Sequence, residues 1–434
     1  MFGNSLSILY SALLSDRKNL EIRNRNVANV NNPDYVKEEP VLQNLPSPGG
    51  VEITDIRRLS DETLQRQVLT SLTYLKGYEE RKNLYEVIET YFDDASGSGL
   101  GKYIDNFFRS VLQFLRDPSN EGAKESLLSN AQNLITAIKE RYQQLTALQN
   151  NLKNEIPKVV KKLNTLTQNL AKVNKDIAFL YAKNKTNSND YKTLLDERDR
   201  LLKELSQYVN IEYSFDKIGR VEINIAEPTS TASGYIPLVS YNGGFNQLEF
   251  DSNTQKFIDS NGIEWPLEFF KNGKLGAYSG LIRDIETYKS NLDTLATTLR
   301  NNAKITLNGS LTQIFNGTSA SDLTLNITKS DLDNYDSSNS ESDQNTIQGA
   351  WDTVRDNYND LSAKISENYT NYQIKYETER DLNQNLETKY NEKTGVNLDE
   401  ELAEIMKLQQ HYQAVSKMIA TSTKLLDYLL SAIR

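Results

Sequence analysis

The sequence predicts a mainly α protein: a long helical bundle with a terminal coiled coil and a small inserted β domain. Three observations predict it. Leu6, Leu13, Leu20 and Val27 recur every seven residues near the start. Leu398, Ile405, Tyr412, Ile419, Leu426 and Ile433 do the same near the end, joined by Leu408, Val415 and Leu429 at the second seam position. Between them, apolar residues from Leu145 to Leu180 alternate spacings of three and four, and from Val209 to Ile225 the period falls to two. Spacings of three and four set one apolar stripe on a helix, a heptad stripe needs a partner helix, and alternation sets one face of a strand.

At 434 residues the chain is too long for one ordinary core, and two to four domains are expected. Hydrophobic residues at 38% suffice for real cores, and a net charge of -10 argues against non-specific nucleic-acid binding. No apolar run reaches the length needed to cross a bilayer. The short apolar stretch from Leu6 to Leu14 has no basic residue before it and no small-residue cleavage site after it. No secretory signal peptide is therefore expected. The absence of cysteine removes disulfides, thiolate nucleophiles and cysteine metal sites. It suits a chain exported unfolded through a narrow channel.

Taken in order, the first helix is expected from Asn4 or Ser5 to Asn31-Asn32-Pro33, where Pro33 restricts the residue before it. Pro40, Pro46, Pro48 and Gly49-Gly50 make residues 34–58 extended or loop-like. Ser60 and Asp61 open a second helix to about Phe92, and a Gly- and Ser-rich turn follows to Gly101. A third helix carries Ile104, Phe107, Phe108, Val111, Leu112 and Leu115 before Asp117-Pro118. The long stripe from Leu145 comes next, with Pro157 expected to kink it. After a polar turn at Lys183 to Asp190, Leu194 to Leu205 form the second limb of a helical hairpin. Strands are expected to about Gly276, helix from Gly280 to about Asn302, and a mixed polar stretch from Ile305 to Asn345. A long helix from Ile347 to about Lys389 leads to the terminal helix, where Asn397 and Glu400 have capping-box spacing. Asp399, Glu400, Glu401 and Glu404 fill its first turns, as the helix dipole favours.

No catalytic or metal site emerges. The one histidine, His411, lies beside the heptad seam and reads as a polar surface residue, with no second His or Cys to complete a zinc site. Gly97-Ser98-Gly99-Leu100-Gly101-Lys102-Tyr103 has Ser96 and Tyr103 where a phosphate-binding loop needs Gly and Ser or Thr. Asp331, Asp333 and Asp336 begin like a calcium loop, but Asp336 and Ser342 replace its Gly and Glu. Leu194-Leu195-Asp196-Glu197-Arg198-Asp199 reads as a charged helix face with ion pairs at spacings of three and four.

Asn26-Val27-Ala28-Asn29-Val30-Asn31-Asn32-Pro33-Asp34-Tyr35 resembles the motif that ends the N-terminal helix of bacterial flagellar rod, hook and hook-associated proteins. Its usual form is Ala-Asn-x-x-Thr-Pro-Gly-Tyr. Ala28, Asn29, Pro33 and Tyr35 match, while Asn32 and Asp34 stand for Thr and Gly; both serve turns. Gly395 to Glu401 and Leu408-Gln409-Gln410-x-Tyr412-Gln413-Ala414 resemble the closing segment of the hook-associated protein 1 family. Phe107-Phe108, Asp117-Pro118 and the run from Leu194 to Asp199 stand in that family's order. Rod and hook proteins follow the motif with mainly β domains. Flagellin and hook-associated protein 3 have long helices without it; here the two occur together. The resemblance covers about residues 1–215 and 276–434.

The resemblance implies a flagellin-like arrangement. Residues 1–33 and 397–434 would form an inner coiled-coil domain, 34–208 and 277–396 a helical-bundle domain, and 209–276 a small inserted β domain. It implies a non-enzymatic axial protein between hook and filament, required for filament assembly and exported by the flagellar type III apparatus to the cell exterior. The implied partners are copies of the chain in a ring, the hook protein, hook-associated protein 3 and an export chaperone at the C-terminal helix. No cofactor, metal, nucleic acid or membrane insertion is implied. Leu6, Leu13, Leu20, Val27, Leu398, Ile405, Leu408, Tyr412, Val415, Ile419, Leu426, Leu429 and Ile433 would mediate subunit assembly. A two-helix unit has little core of its own, so the ends are expected to be at most partly ordered in a free monomer. The competing class is a secreted, type III translocator-like or adhesive helical interaction protein. The stretch from Asn29 to Tyr35 discriminates, because nothing in such a protein requires it.

Overall fold

The computed structural model of the chain describes residues 2–46, 49–94, 99–226 and 234–433. Helix α1 spans Phe2–Ala28, starting two residues before the predicted cap and stopping before the Asn31-Asn32-Pro33 turn. The segment expected to be extended or loop-like is an antiparallel hairpin, β1 Glu38–Asn44 with β2 Val51–Arg58, whose register shifts at Val41/Leu42. Helix α2, Glu62–Phe92, is capped by the Asp61 carboxylate, which accepts from Leu64 N at 2.9 Å. Helix α3 spans Leu100–Arg116; residues 95–98 of the glycine-rich turn before it lie outside the described residues.

Helix α4, Glu121–Ala182, is longer than the apolar stripe predicted. Asn120 caps it, and buried Leu127, Leu134 and Ile138 continue the stripe upstream of Leu145. Its 62 residues make a rod of roughly 93 Å at 1.5 Å per residue, and Pro157 lies inside it without ending it. Helix α5, Asn189–Ser206, folds back along it from the Ser188 cap.

Two three-stranded antiparallel sheets follow. The first is β3 Ile211–Phe215, β4 Val221–Ala226 and β5 Tyr235–Val239; the second is β6 Leu248–Asp251, β7 Lys256–Asp259 and β8 Glu264–Pro266. Two asparagines on α4 hold one sheet each. Asn174 donates to Val221 O at 2.7 Å and accepts from Val221 N at 2.9 Å. Asn164 makes the same two bonds with Leu248, at 2.7 and 2.9 Å. Each side-chain amide thus acts as a strand neighbour, satisfying main-chain groups that an uncovered sheet would leave open.

Helix α6, Gly273–Asn302, begins seven residues before the predicted Gly280. Gly273 and Gly280 are packing positions. Gly273 has φ +68°, and a Cβ there would lie 2.6 Å from the Tyr208 carbonyl carbon. At Gly280 a Cβ would meet the Arg81 guanidinium at 2.2 Å.

The polar stretch after α6 is structured. It contains β9 Lys304–Leu307, β10 Ser310–Gln313, β11 Phe315–Asn316, β12 Thr324–Leu325 and a short α7, Lys329–Asp333. Ile305, Ile314, Phe315, Leu323 and Leu332 are buried in the main core. That core is aromatic where α3 meets α8, Ser340–Thr394: Phe107 lies 4.9 Å from both Phe108 and Phe315, and Phe108 stacks on Trp351 at 6.0 Å. Helix α8 runs antiparallel to α2, with Tyr358 donating to Phe92 O and Asn383 to Val68 O. The last helix, α9, spans Leu398–Ile433. Its cap is Asn397, whose Oδ1 accepts from Asp399 N and Glu400 N, while the Glu400 carboxylate turns to Lys37.

Candidate assembly surface

Helices α1 and α9 lie antiparallel. Arg23 Nη1 reaches Glu401 Oε1 at 2.9 Å, and two turns earlier on α1, Asp16 Oδ2 lies 2.7 Å from His411 Nδ1. Ile22 and Val415 are buried along this pair. Of the heptad residues, Leu13, Leu20, Val27, Ile405, Leu408, Tyr412 and Ile419 are half-buried. Leu6, Leu398, Leu426 and Leu429 are exposed, and the Ile433 side chain lies outside the described ones. The most buried positions on α1 are Ser15, Asp16, Ile22 and Asn26, because the hairpin covers a second side of the helix. Ser15 Oγ donates to Val51 O at 2.9 Å, and Lys18 Nζ to Ile53 O at 3.2 Å.

The register leaves the end of α9 uncovered. Extending the Asp16–His411 pairing at equal rise brings the start of α1 level with roughly residue 425. Beyond that level Leu426, Tyr428, Leu429 and Leu430 are 39%, 72%, 48% and 58% exposed. Leu6, Ile8, Tyr10 and Leu14 add exposed apolar area on α1. These side chains lie on one pair of helices.

At the other end, the arm is fastened to the body by a buried polar joint. Asn26 Nδ2 donates to Glu38 O at 3.0 Å and to Glu401 Oε2 at 3.1 Å. Its Oδ1 accepts from Tyr35 OH at 2.8 Å and from Glu38 N at 3.1 Å. One amide therefore ties α1 to the turn motif, β1 and α9. Glu401 is fully buried between Arg23 and Lys37, the latter at 3.2 Å. Burial opposes the Lys37 charge, but Glu400 and Glu401 outweigh it and hold the ammonium above its ordinary range. Burial, aided by Glu38, pushes the Tyr35 hydroxyl up, so it remains a donor. Lys37 N also donates to Thr394 O at 2.8 Å, joining β1 to the end of α8. Of the turn-motif residues, Asn29 donates its side-chain amide to Arg25 O at 2.9 Å and Tyr35 enters the joint, whereas Ala28 and Pro33 are exposed.

A second node docks the hairpin on α5. Arg58 Nη2 reaches Asp196 at 2.5 Å and Asp199 at 3.0 Å, and Arg198 donates to Asp199 and to Gly219 O. Burial opposes the Asp199 charge, but Arg198 and Arg58 hold this carboxyl below its ordinary value. At Asp196 burial prevails over Arg58 and pushes the carboxyl up to about 6. The run from Leu194 to Asp199 is therefore more than a solvated face. Only Glu197 and Arg200, 2.7 Å apart, make the expected pair at a spacing of three.

Sequence reasoning missed Arg23, Asn26, Lys37, Glu38 and Glu401 as a connected set, and Arg58 as the centre of the second node. Asn26 stood beside the turn motif and Glu401 in the acidic first turn, but nothing in a linear pattern pairs them. The acidic triad disperses: Asp331 closes the capping box of α7 by accepting from Thr328 N, Asp333 pairs with Lys124 at 2.7 Å, and Asp336 caps the turn at Ser337. Among the described residues, no group of three or more His, Asp or Glu could hold a metal ion. Residues 97 and 98 of the glycine loop lie outside the described ones, and Gly99 caps α3.

A family model for the flagellar hook-associated protein FlgK helical domain matches residues 85–304, just over half of the chain. The chain belongs to the FlgK family. A second model, for the C-terminal part of flagellar basal body rod FlgEFG proteins, matches residues 387–432, which hold Glu401 and nearly all of α9. The chain is 24% identical over 233 residues to flagellar hook-associated protein 1 of Bacillus subtilis, covering 50% of this chain and 45% of that protein. It is 23% identical over 246 residues to flagellar hook-associated protein 1 of Escherichia coli, covering 54% and 43%. The matched part thus spans less than half the length of these curated relatives. The structure of the flagellar hook junction protein FlgK from Burkholderia pseudomallei aligns at a TM-score of 0.47 with 20% identity, over 58% of this chain and 46% of that one. In this FlgK-family chain the matched helical domain runs from the second half of α2 to the start of β9.

Proposed function

We propose that this chain is a structural axial protein of the bacterial flagellum, placed between hook and filament and required for filament assembly. One observation carries the reading: a FlgK-type helical domain is mounted on a two-helix arm built from both ends of the chain, and the arm leaves apolar residues uncovered. Copies of the chain side by side in a ring would cover them. The hook protein and hook-associated protein 3 would lie on either side along the axis. The type III flagellar apparatus would export the chain, with a chaperone shielding the C-terminal helix until assembly. The reading assigns no catalysis.

Electron microscopy of cells lacking this chain tests it. Intact hooks without filaments, with flagellin shed into the medium, are expected. Normal filaments would overturn it.

A further inference from the structure

Helix α4 changes character after Pro157. From 158 to 185 every charged residue is a lysine except Asp176, in a chain whose net charge is -10. Lys158, Lys161, Lys172 and Lys175 fall on the side of the helix opposite buried Leu163, Leu166, Leu170 and Ile177. Lys183, at the C-cap, continues the stripe, and all five lysines are exposed. Lys158 pairs with Glu155 at 2.6 Å, and Lys183 lies over the Phe179 ring at 4.0 Å. Lys161, Lys172 and Lys175 make no ion pair among the described residues. Asp176 and Glu249, the latter across a cleft from Lys161, offset only part of this charge.

Helix α8 carries the converse. Glu341, Asp352, Asp356, Asp360 and Glu367 are exposed, on the side away from buried Ile347, Val354, Leu361 and Ile365. None of the five makes an ion pair among the described residues. Of the cations in this segment, Arg355 turns to Asp94 and Asp105, and Lys364 alone stands exposed beside the stripe. Like charges four residues apart, as at 352, 356 and 360, oppose one another, so this face gains from a cationic partner.

The two stripes cannot meet within one chain. Helices α3 and α6 pack between α4 and α8. Gln149 bonded to Ile282 and Tyr142 under Lys289 make α6 antiparallel to α4; Asn357 on Thr298 and Asn368 on Tyr288 make it antiparallel to α8. The outer sides of α4 and α8 are thus opposite flanks of the bundle, and the two helices run the same way. The lysine stripe lies beyond Gln149 and the acidic stripe before Asn368, toward opposite ends of the bundle. Each spans roughly 38 Å at 1.5 Å per residue.

We infer that the α4 lysine stripe is a docking surface for the acidic α8 stripe of a second copy of this chain. The stripes match in length and oppose in sign. A contact between two different patches of identical chains is head-to-tail, so it repeats from copy to copy. The offset of the stripes sets each copy beside its neighbour and one step along the bundle axis from it. Charge complementarity selects which flanks meet and in what register. The inference rests on the axial reading above, in which copies stand side by side.

Charge exchange tests it, with each variant expressed in cells lacking the chain and filaments counted by electron microscopy. Lys161→Glu with Lys172→Glu, and separately Asp356→Lys with Asp360→Lys, should each lower filament number several-fold. The thermal transition of each purified variant should match the parent's, since all four side chains are exposed. The quadruple variant restores opposite charge across the contact and should return filament number toward the parental value. A quadruple variant no better than either pair would overturn the inference, as would parental numbers from either pair alone. Filaments that need the parent chain but ignore these charges would sink only the docking surface. Filaments formed without any copy of the chain would sink the axial reading, and this contact with it.

Discussion

Glu401 is fully buried, and its carboxylate answers Arg23, Lys37 and Asn26 together. Removing one partner of a buried ionic cluster costs about 3–5 kcal/mol, because the remaining charges lose both water and counter-charge. Glu401→Ala should therefore release α1 and α9 from the joint while the bundle stays folded. Limited proteolysis would show early cleavage in both terminal helices, with the thermal transition of the bundle unchanged; arms as resistant as in the parent would contradict this. Asp196 gives a pH-dependent counterpart. Its carboxyl is raised from 3.8 to about 6 by burial, so the folded chain holds this proton more tightly than the unfolded chain. The linked stabilisation is fully present below 3.8 and is lost as pH rises through about 6. Asp196→Asn, neutral throughout, lacks this pH dependence but also takes one carboxylate from buried Arg58, so its stability relative to the parent should rise as pH rises through that window. Denaturation midpoints of the two chains across the window check this; a pH-independent difference would count against it.

The elements differ in how much the linear pattern disclosed. The stripes of α2 to α5 and α8 are long enough for periodicity to average out single misfits, and the structure places helices there. Strands β9 to β12 have two to four residues, too few for alternation to register, and their core residues are spaced by turns. The hairpin of β1 and β2 escaped because Pro40 sits in it and one side is polar; α1 covers the other. The start of α6 escaped because its glycines serve close approach rather than a loop. Asn164 and Asn174 lie outside the apolar stripe, so nothing in its period marked them, yet each bonds main-chain groups of the β insert to α4. Asn174→Ala would leave Val221 N and O without their partner, at a cost of about 1–3 kcal/mol. Amide hydrogen exchange should accelerate in β4 and β5 while α4 keeps its protection; unchanged exchange in both strands would show that the pairing is dispensable.

Across the whole molecule, the two ends meet after almost the entire chain has intervened. The heptads disclosed that each end needed a cover, but not that the hairpin shares in covering α1, nor that one buried carboxylate locks the pair. Long-range polar contacts leave no periodic trace, so they were out of reach of sequence reasoning. At the Glu401 end the arm is fastened to the body, and at the far end of α9 Leu426 and Leu429 are 39% and 48% exposed. A charge placed at these two exposed positions is expected to leave the rest of the α1–α9 pairing in place, which would separate assembly from folding. The most direct test introduces Leu426→Asp with Leu429→Asp into cells lacking the chain and counts filaments by electron microscopy, alongside hydrogen exchange of the purified variant. Bare hooks, from a variant whose α1 and α9 protection matches the parent, are the predicted result. Full-length filaments at parental number would contradict the claim that this surface builds the assembly.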